Sequence, residues 1–458
     1  MVTEASSRST SALNTRRKMG VYEEVRVAEW CMLTPSEETP RHGLWLTPID
    51  LSWASTGHTP TVHLYRSDAG GAVDGFFDVA RLKAALAKAL VAFYPLAGRL
   101  GVDTEGRPQI DCAGQGVLFV VAHSALTVDE LSSFQPSPEL KRLFVPRVEE
   151  YSPSLMCGVQ VNLLKCGGVA LGVAMHHIAV DAIGAFHFFR TWSAFCRDGD
   201  AAATALERPC HDRTLLRARS PPVIHPDALT LFCPPKEQQP PSEEPMPSPG
   251  AVANQIFTLS KDQVAALKRA CTSGASTFCA VSAHVWRCVC AARQLPPDAT
   301  ARLIFPANVR GSVRPPLPDS YFGNGIIMLS VTGKVQDITS GEQLDSVACR
   351  IRGAIRRMDD EMVRSAIDYM EIAGSQSQTD APTGSVPPET DLRVVSWKGT
   401  LVYGTDFGWG KPVVVLRAEQ PRAGIAYLID GTDGSMRVLL SAEPATVNGL
   451  QHLLYANI

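Results

Sequence analysis

The sequence predicts an α/β fold built from two domains, because three features of the chain point that way. With 458 residues, it is about three times as long as a typical domain. Segments with the patterns of strands alternate with segments of helical periodicity in both halves. Between the halves, residues 233–250 hold seven prolines, which favour extended backbone. We therefore expect one domain at 19–220, a crossover at 221–255 and a second domain at 256–458, with part of 375–400 crossing back to the first domain.

Composition narrows the class of protein. Hydrophobic residues make up 45% of the chain and charged residues 19%, and the formal net charge is -3, so neither a nucleic-acid partner nor an anionic membrane partner is indicated. No apolar run approaches the roughly 20 residues that span a bilayer. The twelve cysteines form no CxxC pair, which favours reduced thiols in a cytoplasmic enzyme over a zinc module. Residues 1–18 lack the apolar stretch of a secretory signal and are expected to be a disordered extension, with a transit peptide as the alternative.

Hydrophobic spacing predicts the main elements in order along the chain. Helices are predicted at residues 77–94, 182–196, 260–270, 276–293 and 343–366. Strands are predicted at residues 21–29, 109–111, 116–121, 157–164, 168–174, 303–306 and 326–331. The unbroken apolar character of 168–174 is typical of a buried central strand. This strand delivers His176 and His177 to the start of a helix.

The motif His177-Ile-Ala-Val-Asp181 is the strongest candidate for chemistry. Acyl transfer to a hydroxyl or amine needs a base with a pKa near neutrality, which histidine supplies. Asp181 would either orient the imidazole or turn away to hold the loop through an arginine. Two alternatives compete: a satisfied core histidine, and a zinc site, for which no third ligand lies nearby. A base at His177 predicts that activity falls below about pH 6.5.

Other catalytic signatures are missing from the sequence. No G-x-S-x-G elbow supplies a serine nucleophile. Residues 404–411 superficially match a phosphate loop, but the spacing is one residue too long and Pro412 stands where Ser or Thr is needed. No G-x-G-x-x-G follows a strand, which argues against a dinucleotide fold.

A second motif is Asp406-Phe-Gly-Trp-Gly410. The histidine motif alone occurs in many proteins, but the two motifs in this order and at this spacing are specific for one family. In this order and spacing the chain resembles the BAHD family of plant CoA-dependent acyltransferases, from about Val21 to the end. Further matching segments are PSEETP, LWL-x-x-x-D at 44–50, YPLAGRL at 94–100, DRTLLRARSPP at 212–222, AHVWRC at 283–288 and PPLPDSYFGN at 315–324. The set is most similar to the hydroxycinnamoyltransferase branch.

The resemblance implies two similar mixed-sheet domains of the chloramphenicol acetyltransferase type, meeting along a solvent channel. It implies that His177 deprotonates the acceptor, that Trp397 lies near the oxyanion, and that Asp181 pairs with Arg310 in a structural role. Structural roles are also implied for Asp406, Gly408 and Gly410. The resemblance further implies that Ser276, Thr277 and Trp286 line the CoA side.

The acceptor side departs from the related shikimate and quinate transferases, which hold the acceptor carboxylate with an arginine. Residues 375–390 contain no arginine or lysine, and Gly399 stands where those enzymes carry another arginine. Asp380 and Glu389 would suit a cationic amine or polyamine. We therefore expect N-acylation, with Asp380, Lys398 and Gly399 near the acceptor. Transfer to an alcohol, including shikimate or quinate, remains the alternative.

The complete expectation is a monomeric, cytoplasmic, metal-free acyltransferase. Acyl-CoA, specifically a hydroxycinnamoyl-CoA, is its co-substrate; no cofactor is permanently bound, and the partners are small molecules rather than nucleic acid, membrane or an obligate protein. An aliphatic or benzoyl donor is the alternative among enzymes. From other classes, a catalytically silent metabolite-binding relative and a condensation-type domain share the histidine motif.

Overall fold

The computed structural model describes residues 25–67, 75–204, 207–232, 252–376, 389–399 and 403–456. The extension predicted at 1–18 and the proline-rich segment at 233–250 lie outside these residues.

Strands and helices alternate through both halves of the described chain. The strands are β1 (Arg26–Leu33), β2 (His42–Trp45), β3 (His58–Tyr65), β4 (Arg99–Val102), β5 (Pro108–Cys112), β6 (Val117–Ser124), β7 (Cys157–Leu164), β8 (Val169–His176), β9 (Ala253–Leu259), β10 (Thr300–Asn308), β11 (Ile326–Lys334), β12 (Asp391–Ser396), β13 (Val414–Arg417), β14 (Ile425–Asp430) and β15 (Met436–Ala442). The helices are α1 (Pro48–Leu51), α2 (Val79–Ala92), α3 (Val128–Ser132), α4 (Pro138–Phe144), α5 (Val148–Tyr151), α6 (Ala182–Asp198), α7 (Pro226–Phe232), α8 (Lys261–Ala270), α9 (Thr277–Ala292), α10 (Leu344–Arg356), α11 (Asp360–Gln376) and α12 (Pro444–Leu453).

The first domain is organised around a six-stranded sheet in the order β1, β6, β7, β8, β3, β13. The β6 and β7 strands run parallel, and the other neighbouring pairs are antiparallel. Every residue of β8 is buried, as its unbroken apolar sequence predicts. Because β3 and β8 are antiparallel, His58 at the start of β3 lies opposite His176 at the end of β8. The chain therefore leaves the sheet at His177, at a junction with β3.

The second domain contains another six-stranded mixed sheet, in the order β11, β10, β12, β14, β15, β9. The β12 strand runs parallel to both β10 and β14, whereas the other pairs are antiparallel. A smaller sheet of β2, β5 and β4 accompanies the first domain. Two mixed sheets with helices confirm the predicted α/β class.

The strand that crosses between domains is β13, which pairs antiparallel with β3 and places Arg417 opposite Thr61. The prediction that part of 375–400 crosses was wrong for β12, which lies inside the second sheet. Residues 377–388 lie outside the described chain. The partner of a four-residue strand is a distant segment, so local periodicity carries no information about it.

One predicted helix proved to be two. Residues 343–366 were expected to form a single helix, but α10 ends at Arg356 and α11 begins at Asp360. The Oδ1 atom of Asp359 accepts a hydrogen bond from the N–H of Met362 at 3.0 Å. An aspartate that caps free backbone N–H groups favours a new helix start over continuation of the old one.

Buried hydrophobic clusters lie against both large sheets. The cluster on the inner side of the first sheet also takes in Trp397, Phe407 and Tyr427 from the second half of the chain. The two domains are thus packed together through shared apolar side chains. Among the described residues, none of the helices has the length and apolar content that a membrane span requires.

Candidate active site

The turn between β8 and α6 carries the histidine motif. The β8 strand ends at His176, and Asp181 is the N-cap of α6, where its side chain accepts from the N–H of Gly184 at 3.1 Å. Residues 177–180 therefore span the gap between a buried strand and a capped helix. The backbone N–H of His177 donates to the carbonyl of Gly57 at 2.9 Å, which ties the turn to the residue before β3.

The His177 imidazole is enclosed mainly by an aromatic neighbour. Trp53 stacks on it, with ring centroids 4.2 Å apart and an angle of 13° between the planes. Nδ1 of His177 is buried without a hydrogen-bond partner among the described residues. Burial lowers the pKa of His177, while the nearby Asp181 charge opposes this shift. The ring is therefore neutral at pH 7 and able to accept a proton.

Asp181 points away from the imidazole and pairs with Arg310 from the second domain. The two Arg310 Nη atoms donate to the two Asp181 carboxylate oxygens at 2.8 and 3.0 Å. The N–H of Gly325 adds a bond of 2.9 Å. Of the two arrangements that the sequence left open, the structure has the one in which Asp181 holds the loop through an arginine.

A second buried ion pair, which sequence analysis missed, supports the same turn. Asp50 pairs with Arg213, and both side chains are almost completely buried. Arg213 Nη2 also donates to the carbonyl of Ala179 at 2.8 Å. The Nδ2 atom of Asn324 bridges Asp50 Oδ1 and the carbonyl of His177, each at 2.9 Å. These residues lie inside segments that were matched as family motifs, so their presence was noted but their shared contact was not.

A cavity of about 670 Å³ lies between the domains and includes His177 in its wall. The first domain contributes residues around β3, the turn that carries the histidine motif, and α6. The second contributes residues of β10, β12 and β14 together with the segment after β13. The volume is within the range of sites for small molecules. Trp397 also lies in the wall, packed against the rings of Phe186 and Tyr427 at centroid distances of 6.2 and 5.4 Å.

Charged groups in the cavity wall differ from the acidic mouth that the sequence suggested. The wall includes Glu149 and Glu419, but also Arg393, Arg417 and Arg422. Residues 375–390 supply no cation for an acceptor carboxylate, but Arg393 lies only three positions beyond that stretch and is in the cavity wall. The cavity wall therefore contains a cation that the stretch 375–390 does not supply.

The other residues predicted near the acceptor have varied positions. Asp380 lies outside the described residues. Glu389 does not line the cavity, and its backbone carbonyl accepts a hydrogen bond from Arg293. Lys398 is in the cavity wall, with Nζ 3.8 Å from Asp430 Oδ1. Gly399 has a φ of +75° and donates its N–H to Asp430 Oδ2 at 3.0 Å.

The residues predicted on the CoA side do not line this cavity. Trp286 is fully buried in the core of the second domain, so its predicted contact with CoA was wrong. The resemblance located the segment near the CoA side but carried no information on the direction of the indole. Ser276 is the N-cap of α9 and accepts from the N–H of Cys279 at 3.2 Å, and Thr277 is the first residue of that helix.

The Asp406-to-Gly410 motif forms a tight turn outside the cavity wall. Asp406 Oδ1 accepts from the N–H groups of Gly408 and Gly410 at 2.8 and 3.1 Å. Both glycines have positive φ angles, of 100° and 94°, which side chains disfavour. Phe407 is fully buried in the first-domain core, 4.8 Å from Trp192 between ring centroids. The motif packs the chain into the first domain just before β13.

We expect Trp53→Leu to lower kcat by about tenfold, because the imidazole would lose the contact that fixes its plane. Trp53→Phe should retain more activity, since a smaller aromatic ring can still stack. The measurement is kcat as a function of pH, with an acceptor that does not titrate in the range. In the wild type and Trp53→Phe, the loss of kcat at acidic pH should have its midpoint below pH 6.5, because burial lowers the pKa of His177.

Equal kcat values for the wild type and Trp53→Leu at every pH would contradict a positioning role for Trp53. An acidic limb above pH 6.5 in the wild type would contradict a buried neutral base. Apparent melting temperatures of the three proteins control for damage to the fold.

Comparison with known proteins agrees with this architecture. A family model described as the Transferase family matches residues 23–456. Putrescine hydroxycinnamoyltransferase 1 of Oryza sativa subsp. japonica is 42% identical over 451 residues, which cover 95% of this chain and 99% of the relative. A hydroxycinnamoyl-CoA:5-hydroxyanthranilate N-hydroxycinnamoyltransferase of Avena sativa is 37% identical, with 94% and 99% coverage.

Solved structures show the same fold at lower identity. The crystal structure of F. graminearum TRI101 complexed with coenzyme A and deoxynivalenol aligns with a TM-score of 0.74 and 20% identity, covering 90% of this chain and 97% of that one. The family match over nearly the whole described chain, the full-length relatives and the two-domain fold lead to one conclusion. The chain belongs to the BAHD family of acyl-CoA-dependent acyltransferases.

Proposed function

We propose that this enzyme transfers a hydroxycinnamoyl group from its CoA thioester to the amine of a small acceptor. The observation that carries the proposal is His177, a neutral, buried imidazole in the wall of a cavity formed by both domains. A cavity shared by two domains suits a reaction that joins two substrates. The hydroxycinnamoyl donor and the amine acceptor are supported by the names of the rice and oat relatives.

In the proposed mechanism His177 acts as the general base. It takes a proton from the acceptor as the acceptor nitrogen attacks the thioester carbonyl, and a tetrahedral oxyanion forms. The carbon–sulfur bond then breaks and the proton passes to the departing CoA sulfur. The oxyanion needs a hydrogen-bond donor, the role proposed for Trp397 in the cavity wall. The chemistry requires no acyl-enzyme, because the acceptor attacks the thioester directly.

The turn geometry suits this role for His177. Asp181 has both carboxylate oxygens engaged by Arg310, Gly184 and Gly325, so it is unable to serve as a second base. The ion pairs on either side of the turn fix the backbone, and Trp53 fixes the ring. Little reorganisation is then needed when a substrate reaches the base.

Acyl-CoA is proposed as a co-substrate rather than a bound cofactor, and coenzyme A in the complex of F. graminearum TRI101 supports this by analogy of fold. Ser276 and Thr277 remain proposed for the CoA side. Among the described residues, His, Cys, Asp and Glu side chains form no cluster of three that would hold a metal ion. A cytoplasmic monomer without an obligate protein partner completes the proposal.

The test is release of free CoA from p-coumaroyl-CoA by the purified enzyme, with the product identified by mass. Putrescine, spermidine, tyramine and 5-hydroxyanthranilate are compared with shikimate and quinate. We expect CoA release and an amide product with at least one amine. Ester formation with shikimate or quinate alone would replace N-acylation with O-acylation. Binding of p-coumaroyl-CoA without turnover on any acceptor would favour a silent relative.

A further inference from the structure

The position of Arg393 in the cavity wall follows from the alternation of β12. Leu392 and Val394 point into the core of the second domain, where both are buried. Arg393 and Val395 lie on the opposite face of the strand and line the cavity. Arg393 pairs in register with Ile425 of β14, another residue of the wall. The alternation of the strand therefore places the Arg393 side chain on the cavity side of the sheet.

Three other cations of the wall already have contacts, one of which is Lys398, with Nζ 3.8 Å from Asp430 Oδ1. Lys141 Nζ lies 3.1 Å from Glu419 Oε2. Arg417 Nε donates to the carbonyl of Glu419 at 3.0 Å, and its guanidinium lies 5.2 Å from the centroid of the Tyr427 ring. The guanidinium of Arg393 makes no hydrogen bond or ion pair with any described residue. The same is true of Arg422, but that side chain is exposed to solvent, whereas Arg393 is partly buried. Asp391, two positions earlier in the strand, is engaged by Arg302.

A guanidinium that is partly buried without a partner lowers the stability of the folded protein. Burial is the main cause of the lowered pKa of Arg393, and the positive charge of Arg422 adds to it, whereas Tyr427 and Asp391 partly oppose it. A buried charge is ordinarily compensated by a partner of opposite sign. The geometry therefore leaves room for an anionic group that comes from a substrate.

The carboxylates of the wall do not offer a matching place for a second cation. Asp181 is paired with Arg310, and Glu419 with Lys141. Glu149 lies at the more exposed edge, with 55% of its side chain accessible and His58 Nδ1 3.9 Å away. A diamine such as putrescine would thus find its distal ammonium among guanidinium groups.

We propose that Arg393 binds a carboxylate of the acceptor, so that the acceptor is an amine that also carries a carboxylate. This inference rests on the proposed N-acyl transfer. A guanidinium presents two parallel N–H donors, a geometry that matches a carboxylate. The site is distinct from the 375–390 stretch, where an arginine was sought from the sequence and none is present. Arg393 is thus a specificity-determining residue of the cavity.

The experiment compares acceptors that differ only by a carboxylate, with p-coumaroyl-CoA as the constant donor. The pairs are ornithine and putrescine, tyrosine and tyramine, and 5-hydroxyanthranilate and 4-aminophenol. For the wild type we expect a higher kcat/KM with the carboxylated member of at least one pair. Arg393→Gln should lower that kcat/KM by roughly 10- to 100-fold, mainly through KM, and should change kcat/KM for the decarboxylated member far less. Because the donor has no carboxylate on its acyl group, the effect would be assigned to the acceptor.

Two further variants test whether the effect of Arg393→Gln comes from a lost contact with the carboxylate rather than from the change in net charge. Arg269→Gln removes the same charge from the exposed surface of α8, outside the cavity, and should keep the wild-type ratio within each pair. Arg393→Lys keeps the positive charge but loses the two parallel N–H donors. Its KM for the carboxylated acceptor should therefore lie between those of the wild type and Arg393→Gln. Activity of Arg393→Gln with decarboxylated acceptors shows that the protein is folded.

Two results would overturn the inference: wild-type preference for the decarboxylated member of every pair, or an equal loss for both members in Arg393→Gln. If only shikimate and quinate are acylated, and Arg393→Gln raises their KM, then N-acylation is wrong while the carboxylate site stands. Turnover of putrescine, together with a kcat/KM for ornithine that Arg393→Gln does not lower, would leave N-acylation intact and remove the carboxylate site. The two proposals therefore fail separately.

Discussion

Replacement of His177 by alanine is expected to lower kcat/KM by about 10²- to 10⁴-fold, the usual contribution of a general base. The loss should appear mainly in kcat, because the base acts on the proton that leaves during attack, while the rest of the cavity still binds both substrates. The measurement is steady-state CoA release with a saturating amine. An unchanged melting temperature would show that the loss comes from chemistry rather than from unfolding.

His176→Asn provides the matched control for this prediction. His176 is adjacent in sequence and also lines the cavity, but its Nδ1 accepts from the N–H of Ile178 at 3.3 Å, and burial lowers its pKa to about 4. Asparagine can accept the same hydrogen bond. A far smaller loss in His176→Asn than in His177→Ala is therefore expected. Similar losses in both variants, or full activity in His177→Ala, would rule out His177 as the base.

Arg310→Met is expected to destabilise the protein by roughly 3–5 kcal/mol, the usual effect of breaking a buried ion pair. The side chains of Arg310 and Asp181 are only 4% and 1% exposed, so the variant leaves a carboxylate buried without its cation. Because Asp181 also caps α6, the catalytic turn should lose its fixed geometry, and kcat should fall together with the melting temperature. Thermal unfolding and CoA release measure the two effects.

The double variant Asp181→Asn with Arg310→Met distinguishes loss of the pair from other damage. Asparagine keeps an oxygen for the N–H of Gly184 and removes the unpaired charge, so the double variant should be more stable than Arg310→Met alone. If the change in melting temperature of the double variant equals the sum of the changes in the single variants Asp181→Asn and Arg310→Met, the two residues do not act as a pair. His177 itself is intact in both variants, which separates positioning of the base from the base itself.

The ion pairs also explain how the two domains share one catalytic turn. Arg310 and Asn324 belong to the second domain, yet they bind Asp181 and the carbonyl of His177 in the first. A shift of one domain against the other would therefore alter the hydrogen bonds that hold Asp181 and the carbonyl of His177. Packing of Phe407 into the first-domain core and pairing of β13 with β3 oppose such a shift.

The sequence by itself determined the α/β class, the position of the catalytic turn and the family. The β8 strand, apolar as far as Met175, and the amphipathic α2 and α6 have local patterns strong enough to predict. The histidine motif and the Asp406-to-Gly410 motif are contiguous, and their order is specific. Such features depend on residues close together in the chain, and so they can be read without coordinates.

Tertiary structure alone decided which distant side chains meet. The stacking of Trp53 on His177, the Asp50–Arg213 pair and the crossing of β13 join segments far apart in sequence. Trp286 and Arg393 show the same limit of sequence analysis. Trp286 was expected near CoA but is fully buried in a core, whereas Arg393 was not expected at the site but lies in the cavity wall. Local periodicity gives the face on which a residue lies, but what that face meets depends on how the sheets pack and where their strands cross. The turn that carries the candidate base His177 was therefore predictable from the sequence, whereas the charged residues of the cavity wall were not.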